Sequence, residues 1–234
     1  MRVSMRAAYA AGMLAVVTGC GGGGDAFADK SFKEITRATS ADMQDVKSLH
    51  MSGNLTQESQ ELGLDVSVTT DGECQGEISL GNGSAQIVST GDAAWMRPDH
   101  AFWEEQAPDQ SAQIEQTVGD KWVVVPSGSD FDSFCDLDSL LDSFDDDTDS
   151  SDEPSKVEGV ESVGGHDAVK LSGKSDGQDM SAWVAVDDPH HMLKLVLGDG
   201  GDTAGTISFS AFDEPVDVKT PGPSEVIDLS SLGG

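Results

Sequence analysis

A chain of 234 residues carries 43 Asp and Glu against 13 Lys and Arg, a formal net charge of −30. That balance repels phosphate backbones and anionic headgroups, and no run of basic residues offsets it, so nucleic-acid binding is excluded. Solubility and weak cation binding account for the acidity, and the length suits one domain.

Met1 to Arg6 holds two arginines and no acid, Ala7 to Val17 is mostly apolar, and Val17-Thr18-Gly19-Cys20 leads into four glycines. These are the n-region, h-region and small-residue site of an export signal. The apolar run falls short of the ~20 residues a bilayer-spanning helix needs. The site resembles a bacterial lipobox, which implies cleavage between Gly19 and Cys20 and acylation of the Cys20 sulfur. An ordinary secretory signal with an incidental cysteine is the alternative. The expected organisation is a lipoprotein signal peptide at 1–19, a lipidated Gly-rich tether at 20–29 and a folded domain at 30–234. The expected location is the extracytoplasmic face of the cell membrane, held there through the lipid anchor.

After the tether, Phe32, Ile35, Ala38, Met43, Val46 and Leu49 recur at three- to five-residue steps, which predicts a helix, with Ser40 as a cap for a second turn. From His50 the period becomes two. Leu62, Leu64, Val66 and Val68 alternate with small or polar residues, Asp71-Gly72 marks a hairpin, and Cys74, Gly76, Ile78 and Leu80 continue the alternation. Asn82-Gly83 leads into Ala85 and Ile87, and Gly91-Asp92 into Trp95. Residues 99–118 predict a helical segment broken at Pro108, and Lys121 to Val125 a strand. Phe131, Phe134, Leu137, Leu140, Leu141 and Phe144 form one stripe of a helix whose other face is Asp and Ser. The run 145–154 contains no apolar residue and reads as a solvated acidic loop. Strands resume at 157–163, 167–173, 180–186, 192–197 and 203–212, and Pro221 to Leu229 reads as a short last helix capped by Ser224. The sum is an α+β chain with a large antiparallel sheet of about 10–11 strands. A sheet of that width must curl or close, with helices packed on its concave face.

Cys74 and Cys135 remain once Cys20 is acylated, and two spare thiols in an exported chain read most simply as one disulfide. The alternative is two unpaired buried thiols. Catalytic signals are poor: the sequence has no GxSxG, no HExxH and no Gly-rich phosphate loop. His190-His191 follows Pro189 at a hairpin, where adjacent side chains point to opposite faces, so joint ligation is awkward. Asp145-x-Asp147-x-Asp149 echoes a calcium loop, but Ser150 replaces its glycine and Lys156 its bidentate glutamate. No enzyme, cofactor or metal site is expected.

Leu49-His-Met-Ser-Gly53, Gly91-Asp-Ala-Ala-Trp95, Lys121-Trp122-Val123, Ala182-Trp-Val-Ala-Val186 before Asp188-Pro189, and Phe209-Ser-Ala-Phe-Asp-Glu-Pro-Val-Asp-Val218 resemble stretches of the LolA/LolB-like lipoproteins. Among these the chain is most similar to the actinobacterial LppX/LprG type. The resemblance implies a half-barrel whose concave face holds acyl chains, and hence a lipid or lipidated ligand. Candidate cavity lining is Leu62, Leu64, Val66, Val68, Ile78, Leu80, Ile87, Phe131, Phe134, Leu137, Leu141, Met180, Val184, Ile207 and Phe209. Each of these also fits an ordinary filled core. The alternative function is a non-carrier surface lipoprotein with a filled core that contacts an envelope protein. A monomer is expected.

Overall fold

The structure, a computed structural model, describes residues 24–57, 59–126, 134–146, 155–175, 177–198 and 203–229. Gly19, Cys20, Phe131 and the acidic run 147–154 lie outside them.

Twelve strands form one sheet. They are β1 (Ser48–Gln57), β2 (Gln60–Thr69), β3 (Glu73–Leu80), β4 (Gly83–Thr90), β5 (Ala94–Pro98), β6 (Trp122–Val125), β7 (Lys156–Val163), β8 (His166–Ser175), β9 (Gln178–Ala185), β10 (Met192–Leu197), β11 (Thr203–Ser210) and β12 (Val226–Ile227). Their order is β12-β6-β5-β4-β3-β2-β1-β11-β10-β9-β8-β7. Two meanders therefore meet where β1 pairs with β11, and every pairing is antiparallel except that of β12 with β6. The sheet curves without closing, the one of the two outcomes open to its width that the LppX/LprG-type resemblance implies.

Five helices accompany it: α1 (Gly24–Ala28), α2 (Phe32–Gln44), α3 (His100–Gln106), α4 (Ser111–Val118) and α5 (Leu137–Asp146). The backbone N–H of Ser31 donates to Glu34 Oε2 at 3.0 Å at the start of α2, and Asp99 accepts the Phe102 N–H at 2.7 Å at the start of α3. Both contacts satisfy donors that a helix start leaves orphaned. Ile35, Thr39 and Met43 face inward from α2, and Leu137 and Leu141 from α5.

Several boundaries differ from expectation. Helix α2 ends at Gln44, and Leu49 belongs to β1 rather than to the helix. Ser40 sits buried in the interior of α2 rather than at a helix start. The last segment makes a 3₁₀ turn at Pro223–Glu225 and then the short strand β12, because Val226 and Ile227 find open edge positions on Trp122 and Val123. The acidic run begins two residues inside α5. The tether is also partly folded: α1 forms within it, and Phe27 is 3% exposed.

Glycines set the curvature at the junction of the meanders. A Cβ on Gly53 would lie 2.0 Å from the Thr206 carbonyl oxygen, and one on Gly205, at φ +141°, 2.2 Å from that of Asn54. Only a residue without Cβ lets neighbouring strands coil this closely. Gly53→Val is expected to cost about 3 kcal/mol or more of unfolding free energy, read by urea denaturation, because the obstacle is backbone rather than a movable side chain.

Candidate functional site

The strand registers arrange the concave face in four rungs. The first is Leu49, Val68, Cys74, Ser89, Ala94 and Val125. The second runs through Met51, Val66, Ile87, Met96 and Val123 on one side of β1 and through Phe209, Val184 and Val169 on the other. The third holds Leu64, Ile78, Ala85, Ile207, Leu195, Ala182 and Leu171. The fourth holds Leu55, Leu62, Leu80, Leu197 and Met180. Successive rungs are two residues, or about 6.7 Å, apart.

Burial changes along this axis. Leu49, Val66, Val68, Cys74, Ile87, Val169 and Val184 are all 1% exposed or less. In contrast Leu55, Leu62, Leu64, Leu80, Met180, Leu195, Leu197 and Ile207 are only half-buried. The first two rungs form a floor filled apart from half-buried Ala94 and Met96. The third is mixed, with Ile78, Ala85, Leu171 and Ala182 buried. The fourth is a partly uncovered apolar rim that Leu64, Leu195 and Ile207 extend. The helices explain the gradient. Met43 of α2 and Leu137 and Leu141 of α5 pack into the floor, whereas Leu140 and Phe144 are half-buried, with Phe144 edge-on to Phe209 at 6.1 Å. Helix α3 covers one flank of the rim, because Gly83 admits its backbone and Phe102 joins the core beside Ala85.

The Cys74 and Cys135 sulfurs are bonded, with their Cα atoms 5.4 Å apart, which ties the approach to α5 onto the floor. The predicted lining residues therefore divide. Val66, Val68, Ile78, Ile87, Leu137, Leu141, Val184 and Phe209 are buried, Phe134 is half-buried against the same cluster, and Leu62, Leu64, Leu80, Met180 and Ile207 stand at the rim. Leu55, Leu195 and Leu197 belong to the rim and went unpredicted; their period-two spacing within β1 and β10 was the available signal.

The convex face is different in kind. A groove of about 460 Å³ there is lined by Ser52, Asn54, Asp65, Glu77, Ser79 and Ser208 with few apolar atoms. Further along, Trp183 is buried beside Leu193, Ala168 and Ala185, its ring flanked by the ammonium groups of Lys194 at 4.6 Å and Lys170 at 5.4 Å.

His190 and His191 pack against different rings. His190 stacks on Phe27 with ring centroids 3.5 Å apart, and His191 packs on Phe212 at 4.1 Å. Asp42, Asp188 and His190 bring three ligand-type atoms within 4.8 Å of one another. Asp42 accepts the His190 backbone N–H at 2.7 Å, and Asp188 faces His190 Nε2 at 3.0 Å, so these groups already serve the turn. Burial holds the His191 imidazole below the ordinary histidine range, opposed by the nearby Asp213 and Asp42. The unfolded chain thus takes up a proton near pH ~6.5 that the folded chain refuses, so stability falls as pH drops from there through the lower folded value. His191→Phe is expected to flatten this part of the curve, with urea midpoints nearly equal to wild type at pH ~7.5 and relatively higher at pH ~5.

No protein-family model and no curated protein matches the sequence. Solved structures do share its architecture. LprF from Mycobacterium bovis aligns with a TM-score of 0.57 at 15% identity, over 81% of this chain and 96% of its own. Lipoprotein LppX from Mycobacterium tuberculosis aligns at 15% identity over 80% of this chain and 97% of its own, with a TM-score of 0.45. At such identity the likeness to LprF speaks for the fold alone. The chain is an open half-barrel with helices on its concave face. Within that class it has the LppX/LprG-type lipoprotein fold. Among the described residues no helix is long and apolar enough to cross a membrane.

Proposed function

We propose that this protein is a lipoprotein, anchored through Cys20 on the extracytoplasmic face of the membrane, that binds or carries a lipid or lipidated molecule against its concave face. The observation that carries the reading is the burial gradient. The rim presents eight half-buried aliphatic side chains in one concave surface, where a globular core would have buried them. An acyl chain laid there and burying about 300 Å² would gain about 7 kcal/mol before ordering costs. Stretches resembling the LolA/LppX group, whose concave faces hold acyl chains, support the same reading.

A second reading has its own observation. The first two rungs are already filled by side chains, as an interaction module with no cargo requires. Mass spectrometry of the anchor-free domain purified from its native host separates the two. The carrier reading expects a co-purifying lipid and uptake of a fluorescent fatty acid. Empty protein with no uptake would leave the interaction module.

A further inference from the structure

The start of the domain bears on how it stands at the membrane, an inference that rests on the lipid-anchor reading above. Phe27 is 3% exposed, stacks on His190 and packs in the cluster of Val169, Val184 and Val186. His190 is itself held, with its backbone N–H on Asp42 and Nδ1 3.1 Å from the Ala185 carbonyl oxygen. The docking point therefore lies at the filled end of the half-barrel. Four extended residue steps from Cys20 to Gly24 and three helical steps on to Phe27 span less than about 20 Å. The fourth rung lies three rungs from the first, about 20 Å away along the strands.

We infer that the anchored domain stands with its filled end, around Phe27 and His190, against its own bilayer, and its apolar rim turned away. The tether holds the filled end within reach of the headgroups, while the rim lies a further strand length out. Beside the docked phenylalanine, the exposed side of α2 and the turn before it carry Lys30, Lys33 and Arg37 against Asp29 and Glu34. Asp42 on the same helix balances the count, so the stretch is about neutral in a chain of net charge −30. Asp187 and Asp188 flank it, so the docked tether rather than charge sets the orientation.

The test uses the acylated full-length chain on vesicles of phosphatidylcholine with phosphatidylglycerol. A donor fluorophore is attached through Asp187→Cys at the filled end or through Glu61→Cys beside the rim, and energy transfer to headgroup-labelled lipid gives each height. The expected result is a label at position 187 that is lower than the one at 61 by about 20 Å. Phe27→Ala, which undocks the tether, is expected to shrink that difference. Equal heights, or a lower label at 61, would overturn the inference. Flotation with the vesicles and the mass of the Cys20 peptide are read in the same samples. A chain that neither floats nor carries acyl groups removes the anchor reading and this orientation with it. Fatty-acid uptake by the anchor-free domain is independent of both.

Discussion

Replacing Cys74 and Cys135 together by alanine is expected to lower the unfolding free energy by about 4 kcal/mol, measured by urea denaturation without reductant. The two residues are 61 apart in sequence, so the bond removes a long loop from the unfolded ensemble. Both are buried, at 0% and 6% exposure, and the bond joins the approach to α5 to the first rung of the floor. Apart from the bond, helix α5 is held by one apolar stripe, Leu137, Leu140, Leu141 and Phe144, since Asp138, Ser139, Asp142 and Ser143 on its outer face are exposed. Wild-type protein in excess reductant should approach the stability of the double variant. A loss below about 1 kcal/mol would mean that Leu137 and Leu141 hold the helix unaided.

The second large effect concerns ligand. Leu62→Asp is expected to weaken fluorescent fatty-acid uptake at least tenfold while changing stability by only about 1 kcal/mol. Leu62 is half-buried on the fourth rung, so a carboxylate there reaches water in the empty protein but would be desolvated beneath an acyl chain. Val66→Asp, four residues along the same strand and face, is expected to unfold the domain. Val66 is 0% exposed and a charge there has no route to solvent. Undiminished uptake by the Leu62 variant would place the ligand away from the rim. A stably folded Val66 variant would contradict the filled floor.

The contrast between these two positions also shows what the sequence makes legible. Alternation in β2 puts Leu62, Leu64, Val66 and Val68 on one face, and the structure keeps all four there. The pattern is the same at both ends of the strand, so it carries no information about which end the helices cover. That depends on where α5 lands, and hence on a disulfide between distant residues. Strand β1 was obscured because Met43, Val46 and Leu49 continue a helical spacing into residues that pair with β2 and β11. The two residues of β12 are too few to show a period. Docking of Phe27 was equally hidden, since Gly-Asp-Ala-Phe-Ala offers one large side chain and its partner is His190, at the far hairpin. The cysteine pair needed only counting, and its bond is present.

The glycines at the meander junction carry a consequence for what this trough can hold. Gly53 and Gly205, which carry no side chain into it, decide how tightly β1 and β11 coil, and Gly76 does the same between β2 and β3, where a Cβ would meet the Asp65 carbonyl oxygen at 2.0 Å. The gauge of the trough is thus written in backbone, while its lining is written in leucine, isoleucine and methionine at other positions. Exchanging one aliphatic lining residue for another retunes length and shape preference within a fixed width, whereas a single methyl group at Gly53 would change the width itself.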